Sequence, residues 1–99
     1  MDSPLTTQTA LLWALGQGRA YGADVVARLR SRTDGVLIIP DGTLYPALRA
    51  LVVANLATET KPNGRRQFEL TDAGRAKLED ATALIIALFG RSKRIGGAR

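Results

Sequence analysis

Between Leu56 and Leu70 the chain reads as two short runs, Leu56–Lys61 and Arg65–Leu70, joined by Pro62-Asn63-Gly64. No other stretch constrains the fold as tightly. Proline, asparagine and glycine in succession belong to a tight turn and oblige the flanking runs to pair as a hairpin. A three-residue loop with Gly64 in the left-handed position pairs Lys61 with Arg65, Thr58 with Phe68 and Leu56 with Leu70. That register collects Leu56, Phe68 and Leu70 on one face. A two-residue Asn-Gly loop shifts it by one and splits them, so the longer loop is expected. Lys61, Asn63, Arg65 and Arg66 are then crowded at the tip.

Helical periodicity surrounds the hairpin. A first helix is expected from about Leu5 to Leu15, with Leu5, Leu11, Leu12 and Leu15 at helical spacings and Gly16 as its stop. Gln17–Ala20 reads as a turn. A second helix over Gly22–Arg32 buries Val25, Val26 and Leu29, exposes Arg28, Arg30 and Arg32, and closes at Asp34-Gly35. Val36–Ile39 is a β-branched run that Pro40 limits to a brief or edge strand. The third helix starts within Asp41–Thr43 and runs to about Ala54, with Leu44, Leu48 and Leu51 as its core stripe. Thr43 as N-cap puts Pro46 in the first turn, where a missing N–H is harmless, whereas Asp41 as N-cap costs a helical hydrogen bond. The residues leave both starts open. The last helix takes Thr71 as N-cap and Asp72 in its first turn, and runs to about Phe89. Its second half, Ala81–Phe89, is apolar on nearly every side, more than the core of a small domain covers, so it needs a second surface.

Composition closes most chemistries. A chain of 99 residues makes one domain, and with neither Cys nor His it has no disulfide, no zinc-finger ligands, no thiol nucleophile and no imidazole acid or base. Its nine carboxylates form no recognisable acid/base or metal arrangement, and no P-loop or dinucleotide fingerprint is present, so neither an enzyme nor a cofactor is expected. The start, Met1-Asp2-Ser3-Pro4, lacks a secretory signal, and the longest apolar stretch, Ala83–Phe89, is far short of the ~20 residues of a membrane span. A cytoplasmic protein is expected. Fourteen Lys/Arg against nine Asp/Glu give +5, but Arg91, Lys93, Arg94 and Arg99 lie in the last nine residues, which read as a basic, disordered tail. Residues 1–90 are near neutral, so a nucleic-acid reading depends on where the charges sit.

The order of elements supplies that placement. Helix, helix, short strand, helix, basic-tipped hairpin and long apolar helix make a mainly α fold with a small β-hairpin: a winged helix-turn-helix over residues 1–70, and a C-terminal dimerisation helix over 71–90 in the same compact unit. In helix-turn-helix folds the second helix of the motif enters the major groove. That helix, residues 42–54, turns Thr43, Pro46, Ala47, Arg49 and Ala50 to solvent, with Tyr45 at its flank. Arg49 suits guanine O6/N7 or a phosphate, and the hydroxyls of Thr43 and Tyr45 suit contacts near a helix N-terminus. Lys61, Arg65 and Arg66 beside Asn63 suit a wing on the minor groove or backbone. Leu84, Ile85, Leu88 and Phe89, with Leu5 or Leu12 of the first helix, are the expected dimer contacts.

Asp41-Gly-Thr-Leu-Tyr-Pro-Ala-Leu-Arg-Ala-Leu51, preceded by Tyr21-Gly22 and followed by Phe68-Glu-Leu-Thr-Asp-Ala-Gly-Arg75, resembles the PadR-like transcriptional regulators over about residues 8–90. The resemblance implies a homodimeric repressor on an inverted-repeat DNA operator, with the C-terminal helix supplying much of the dimer contact. Carried over by position, the family's DNA-facing residues are Tyr21, Thr43, Tyr45, Pro46, Arg49 and the wing cations. The wing Lys61–Arg65 is shorter than is usual there. Some members bind flat aromatic drugs between tryptophans of the last helix, whereas here Phe89 is that helix's only aromatic and Trp13 stands on the first helix. Trp13 reads first as a core residue. Trp13 and Phe89 are the candidate contacts for a small apolar inducer. The alternative function is a winged-helix interaction module that docks on another protein through its apolar last helix.

Overall fold

A helix, a short strand, two further helices, a hairpin and a long last helix follow one another along the chain, and a computed structural model describes residues 6–90 of it. Helix α1, Thr7–Gly16, starts where the Thr6 hydroxyl accepts the Thr9 amide at 3.3 Å; Leu5 and the 91–99 tail lie outside the described residues. Strand β1 is Ala20–Tyr21, and α2 is Gly22–Arg32, as the periodicity predicts. Then come α3, Asp41–Val53; β2, Ala57–Thr60; β3, Gln67–Leu70; and α4, Asp72–Ile85, which continues as a π-helical turn over Ile86–Gly90. Among the described residues no helix is long and apolar enough to cross a membrane.

The core is leucine-rich and lies among α1, α2, α3 and the sheet, with Leu11 and Leu15, Val25 and Leu29, Leu48 and Leu51, and Phe68 buried. Each large side chain fully withdrawn from water contributes ~1.5–3 kcal/mol. Arg28 does not point to solvent as its position on α2 suggests. Its guanidinium donates to the carbonyl oxygens of Ala14 (2.9 Å), Gly18 (2.7 Å) and Arg19 (3.3 Å) and ties the α1–α2 turn with a cation at the C-terminus of α1.

Helix α3 starts at Asp41, inside the expected range, with its cap one residue before the earlier candidate. Pro40 is its N-cap, with its carbonyl accepting the Thr43 and Leu44 amides at 2.9 Å each. Pro46 therefore sits inside the helix and deprives the Gly42 carbonyl of its usual donor. Gly42 is exposed, so this loss falls at the surface and not in the core.

The sheet departs from expectation in three ways. It has three strands in the order β1-β3-β2, because Ala20–Tyr21 pairs with the second edge of β3, Ala20 opposite Phe68 and Tyr21 opposite Gln67. Val36–Ile39 forms no strand: that edge is taken, Val36 is 86% exposed, and only Ile39 of the run is buried. The hairpin register is also the one set aside above. Ala57 opposes Leu70, Glu59 opposes Phe68 and Thr60 opposes Gln67, the pairing of a two-residue Asn63-Gly64 loop. Asn63 (φ 56°) and Gly64 (φ 78°) both take left-handed conformations and the Arg65 amide bonds the Pro62 carbonyl at 3.1 Å, as a tight mirror-image turn requires. The expected register failed because Leu56 is not a strand residue. Its amide bonds the Leu51 carbonyl at 2.8 Å and closes the end of α3 around Asn55 (φ 64°), so alternation starts one residue later and Ala57 joins Phe68 and Leu70 inside.

Helix α4 is anchored at the same corner. The Thr71 hydroxyl accepts the Gly74 amide at 2.9 Å and donates to the Asn55 carbonyl at 2.7 Å. Gly74 lies against the Leu56 carbonyl, where any Cβ would overlap that oxygen. The Leu70–Gly74 segment is thus a packing device that joins α4 to the hairpin.

Candidate nucleic-acid interface

Along α3, Leu44, Leu48 and Leu51 face the core, which leaves Thr43, Pro46, Arg49 and Ala50 in solvent. Tyr45 is half-buried at the flank, and its ring fits against Gly22, where a Cβ would overlap the tyrosine hydroxyl. Gly22 therefore sets how closely α2 and α3 approach. Gly22→Ala is expected to push the Tyr45 ring out and to cost about 1–3 kcal/mol, the range for forcing an atom into a packed site. Urea unfolding measures this, and an unchanged midpoint would refute it.

Tyr45 is also where α3 meets the hairpin. The Arg66 guanidinium lies 4.9 Å from the Tyr45 ring centre and 5.6 Å from that of Phe68, while Arg65 stacks 3.9 Å over Tyr21. Tyr21, Gly22, Ala23, Tyr45, Arg65 and Arg66 together line an open cleft of 240 Å³. Tyr21 is held there by its place in β1 and by its amide, which donates to Asp24 Oδ2 at 2.9 Å at the start of α2. Lys61, Asn63 and Arg65 are exposed at the turn. Cations stacked on aromatic rings beside an exposed helix face make a surface suited to sugar-phosphate chains.

Arg66 differs from its neighbours. It shares the inner face of the sheet with Glu59, and its Nε donates to Glu59 Oε2 at 2.7 Å. The hydrogen bond from Arg66, opposed by partial desolvation and aided by the charges of Arg66, Lys61 and Arg49, holds the Glu59 carboxyl below the usual glutamate range. Glu59 has no place in the reading of the sequence above. The signal was available, since the Asn-Gly register puts it opposite Phe68.

Residues 11–80 match the sequence profile of the transcriptional regulator PadR-like family. The chain belongs to that family. A PadR-like transcription factor from Bacteroides fragilis is 26% identical, with a TM-score of 0.71 over 89% of this chain and 87% of that one. A transcriptional regulator from Clostridium thermocellum is 21% identical, with a TM-score of 0.72 over 86% of this chain and 90% of that one. Bacillus subtilis PadR, solved in complex with operator DNA, is 21% identical with a TM-score of 0.70, over 81% of this chain but 48% of that one. No curated protein sequence matches the chain significantly. The family is one of transcriptional regulators, and the fold is shared with F93 from STIV, a winged-helix DNA-binding protein 20% identical with a TM-score of 0.73.

In this PadR-like chain Tyr21, Tyr45, Arg65 and Arg66 meet in one cleft, and Thr43, Pro46 and Arg49 occupy the adjoining exposed face of α3. The apolar end of α4 lies apart from them. Leu84, Ile86, Leu88 and Phe89 are 50–58% exposed and Ile85 is half-buried. Leu12 is 1% exposed in the chain's own core, which corrects its expected place in a dimer contact. Trp13 packs half-buried against the core, with the Arg32 guanidinium 5.8 Å from its ring. It lines an open cleft with Gln17, Ala27, Arg28, Ser31 and Arg32, and Phe89 is not part of that cleft.

Proposed function

We propose that this PadR-like chain is a homodimeric, sequence-specific DNA-binding repressor that acts in the cytoplasm on an inverted-repeat operator. The observation that carries this reading is the junction at Tyr45, which joins the exposed face of α3 to the hairpin cations in one surface. Helix α3 enters the major groove, with Thr43, Tyr45 and Pro46 at its leading end and Arg49 toward the base edges. The turn 61–66 follows the flanking backbone or minor groove, and Tyr21 supports Arg65 there. Two copies associate through Leu84, Ile85, Leu88 and Phe89, which sets the spacing of the two recognition helices. A small apolar inducer would meet Trp13 in its cleft beside α2.

Selection from a random duplex pool at about 150 mM salt tests the reading. An enriched inverted repeat with half-sites about one helical turn apart is the expected outcome. Arg49→Gln should then relax preference at one base pair per half-site and cost about 1–3 kcal/mol, whereas a pure phosphate contact would lower affinity evenly across sequences. Binding without enrichment would reject sequence reading. Absence of binding would favour the second reading, a module that docks on another protein through the exposed apolar side chains at the end of α4.

A further inference from the structure

Glu59 is a carboxylate set into a cationic surface. The hairpin register puts it opposite Phe68 and on the same face as Arg66, and its two oxygens take a forked pair of hydrogen bonds: Nε to Oε2 at 2.7 Å and Nη2 to Oε1 at 3.5 Å. Its side chain is 14% exposed against 35% for Arg66, so water screens the pair only in part. The rings of Tyr45 and Phe68 flank the guanidinium and keep it over the inner face of the sheet. Among the described residues Arg49, Lys61 and Arg65 have no carboxylate within 4.0 Å.

We propose that Glu59 is a positioning residue that withholds Arg66 from DNA phosphates, so that the hairpin offers Lys61 and Arg65 to the backbone while Arg66 braces Tyr45 of the recognition helix. This rests on the DNA-binding reading above and refines it within the turn 61–66. A phosphate must compete with a two-pronged, charge-assisted pair to capture Arg66. Non-specific affinity grows with the number of phosphates neutralised, whereas base reading does not. Holding one cation back lowers the affinity for operator and unrelated DNA evenly and leaves contacts made by Arg49 in place, so base reading carries a larger share of the binding to the operator.

The test measures the affinity of the full chain and its variants for an unrelated duplex and for the selected operator between 50 and 200 mM salt. Glu59→Gln keeps the shape of the side chain and removes its charge. It is expected to steepen the slope of log affinity against log salt by about 0.9, the increment of one added phosphate contact. Over that salt range the variant then loses affinity about 3.5-fold more than the parent does. Arg66→Gln alone is expected to leave the parent's slope unchanged, and Glu59→Gln/Arg66→Gln to return to it. A purely structural role for Glu59 would lower thermal stability and leave the slope alone. An unchanged slope in Glu59→Gln, a slope shallower by about one phosphate contact in Arg66→Gln, or a double variant that stays steep would each overturn the proposal. The Arg66→Gln arm decides the matter should Glu59→Gln not fold. If the parent and every variant bind no duplex, the DNA-binding reading fails and the role of Glu59 fails with it.

Discussion

Replacing Leu88 with Asp is expected to leave a folded monomer that has lost most of its operator affinity. Leu88 is 53% exposed on the π-helical turn that ends α4, outside the core cluster of α1, α2, α3 and the sheet, so its replacement removes no contact on which the domain depends. In a two-fold symmetric association the residue counts once for each copy. Full burial of a leucine contributes ~1.5–3 kcal/mol and about half of Leu88 is left to bury, so the pair accounts for about 1.5–3 kcal/mol before the added cost of desolvating two carboxylates. The dimer constant should therefore fall by at least about 10–10². Operator affinity follows, because two linked recognition helices gain from the second contact being intramolecular, and a monomer forfeits that gain. Sedimentation equilibrium at micromolar concentration reads the mass, and circular dichroism reads the helix content. A dimer mass retained by the variant would remove Leu88 from the association surface.

The second large effect concerns stability. Phe68→Ala is expected to cost about 3–5 kcal/mol, the range for truncating a buried aromatic ring. Phe68 is 0% exposed and stands on β3, the central strand, with Ala20 of β1 on one side and Glu59 of β2 on the other. Loss of the ring opens a cavity between the sheet and the helices that cover it. It also removes one of the two aromatic flanks of Arg66. Against the 5–15 kcal/mol that typically holds a domain together, such a loss brings this chain close to unfolding at physiological temperature. Urea unfolding should show a much lower midpoint with an unchanged slope, and a loss below about 1 kcal/mol would contradict the packing described for Phe68.

The helices were legible in the sequence because each carries a stripe that only a helix can turn to one side. Val25 and Leu29 on α2 and Leu44, Leu48 and Leu51 on α3 are buried as their spacing predicts. The cap at Thr71 was legible for the same local reason, since a threonine hydroxyl that accepts the amide three residues on needs no distant partner. The family signature around Gly42–Leu48 was legible as a string, but its spatial partners were not. Gly22 precedes Tyr45 by more than twenty residues, and only the packed structure shows that one exists to admit the other.

The sheet was hardest to read. A two-residue strand such as Ala20–Tyr21 has no period to detect, while Val36–Ile39 has the composition of a strand but finds the second edge of β3 already paired with β1. Register turned on one residue: counting Leu56 as part of the strand favoured the wrong loop, and its capture by the end of α3 decided the right one. With that shift Glu59 moved to the inner face and acquired Arg66 as its partner.

Sequence alone determined the four helices, the presence of a hairpin between Leu56 and Leu70, the core stripes and the location of the cations, since these depend on local conformation and on periodicity within a few residues. Tertiary structure alone decided which edge β3 would share, which register the hairpin took, and which of its cations faced a carboxylate. Those are choices between distant segments competing for the same hydrogen-bonding edge and the same buried face. Their energies exist only once the segments meet.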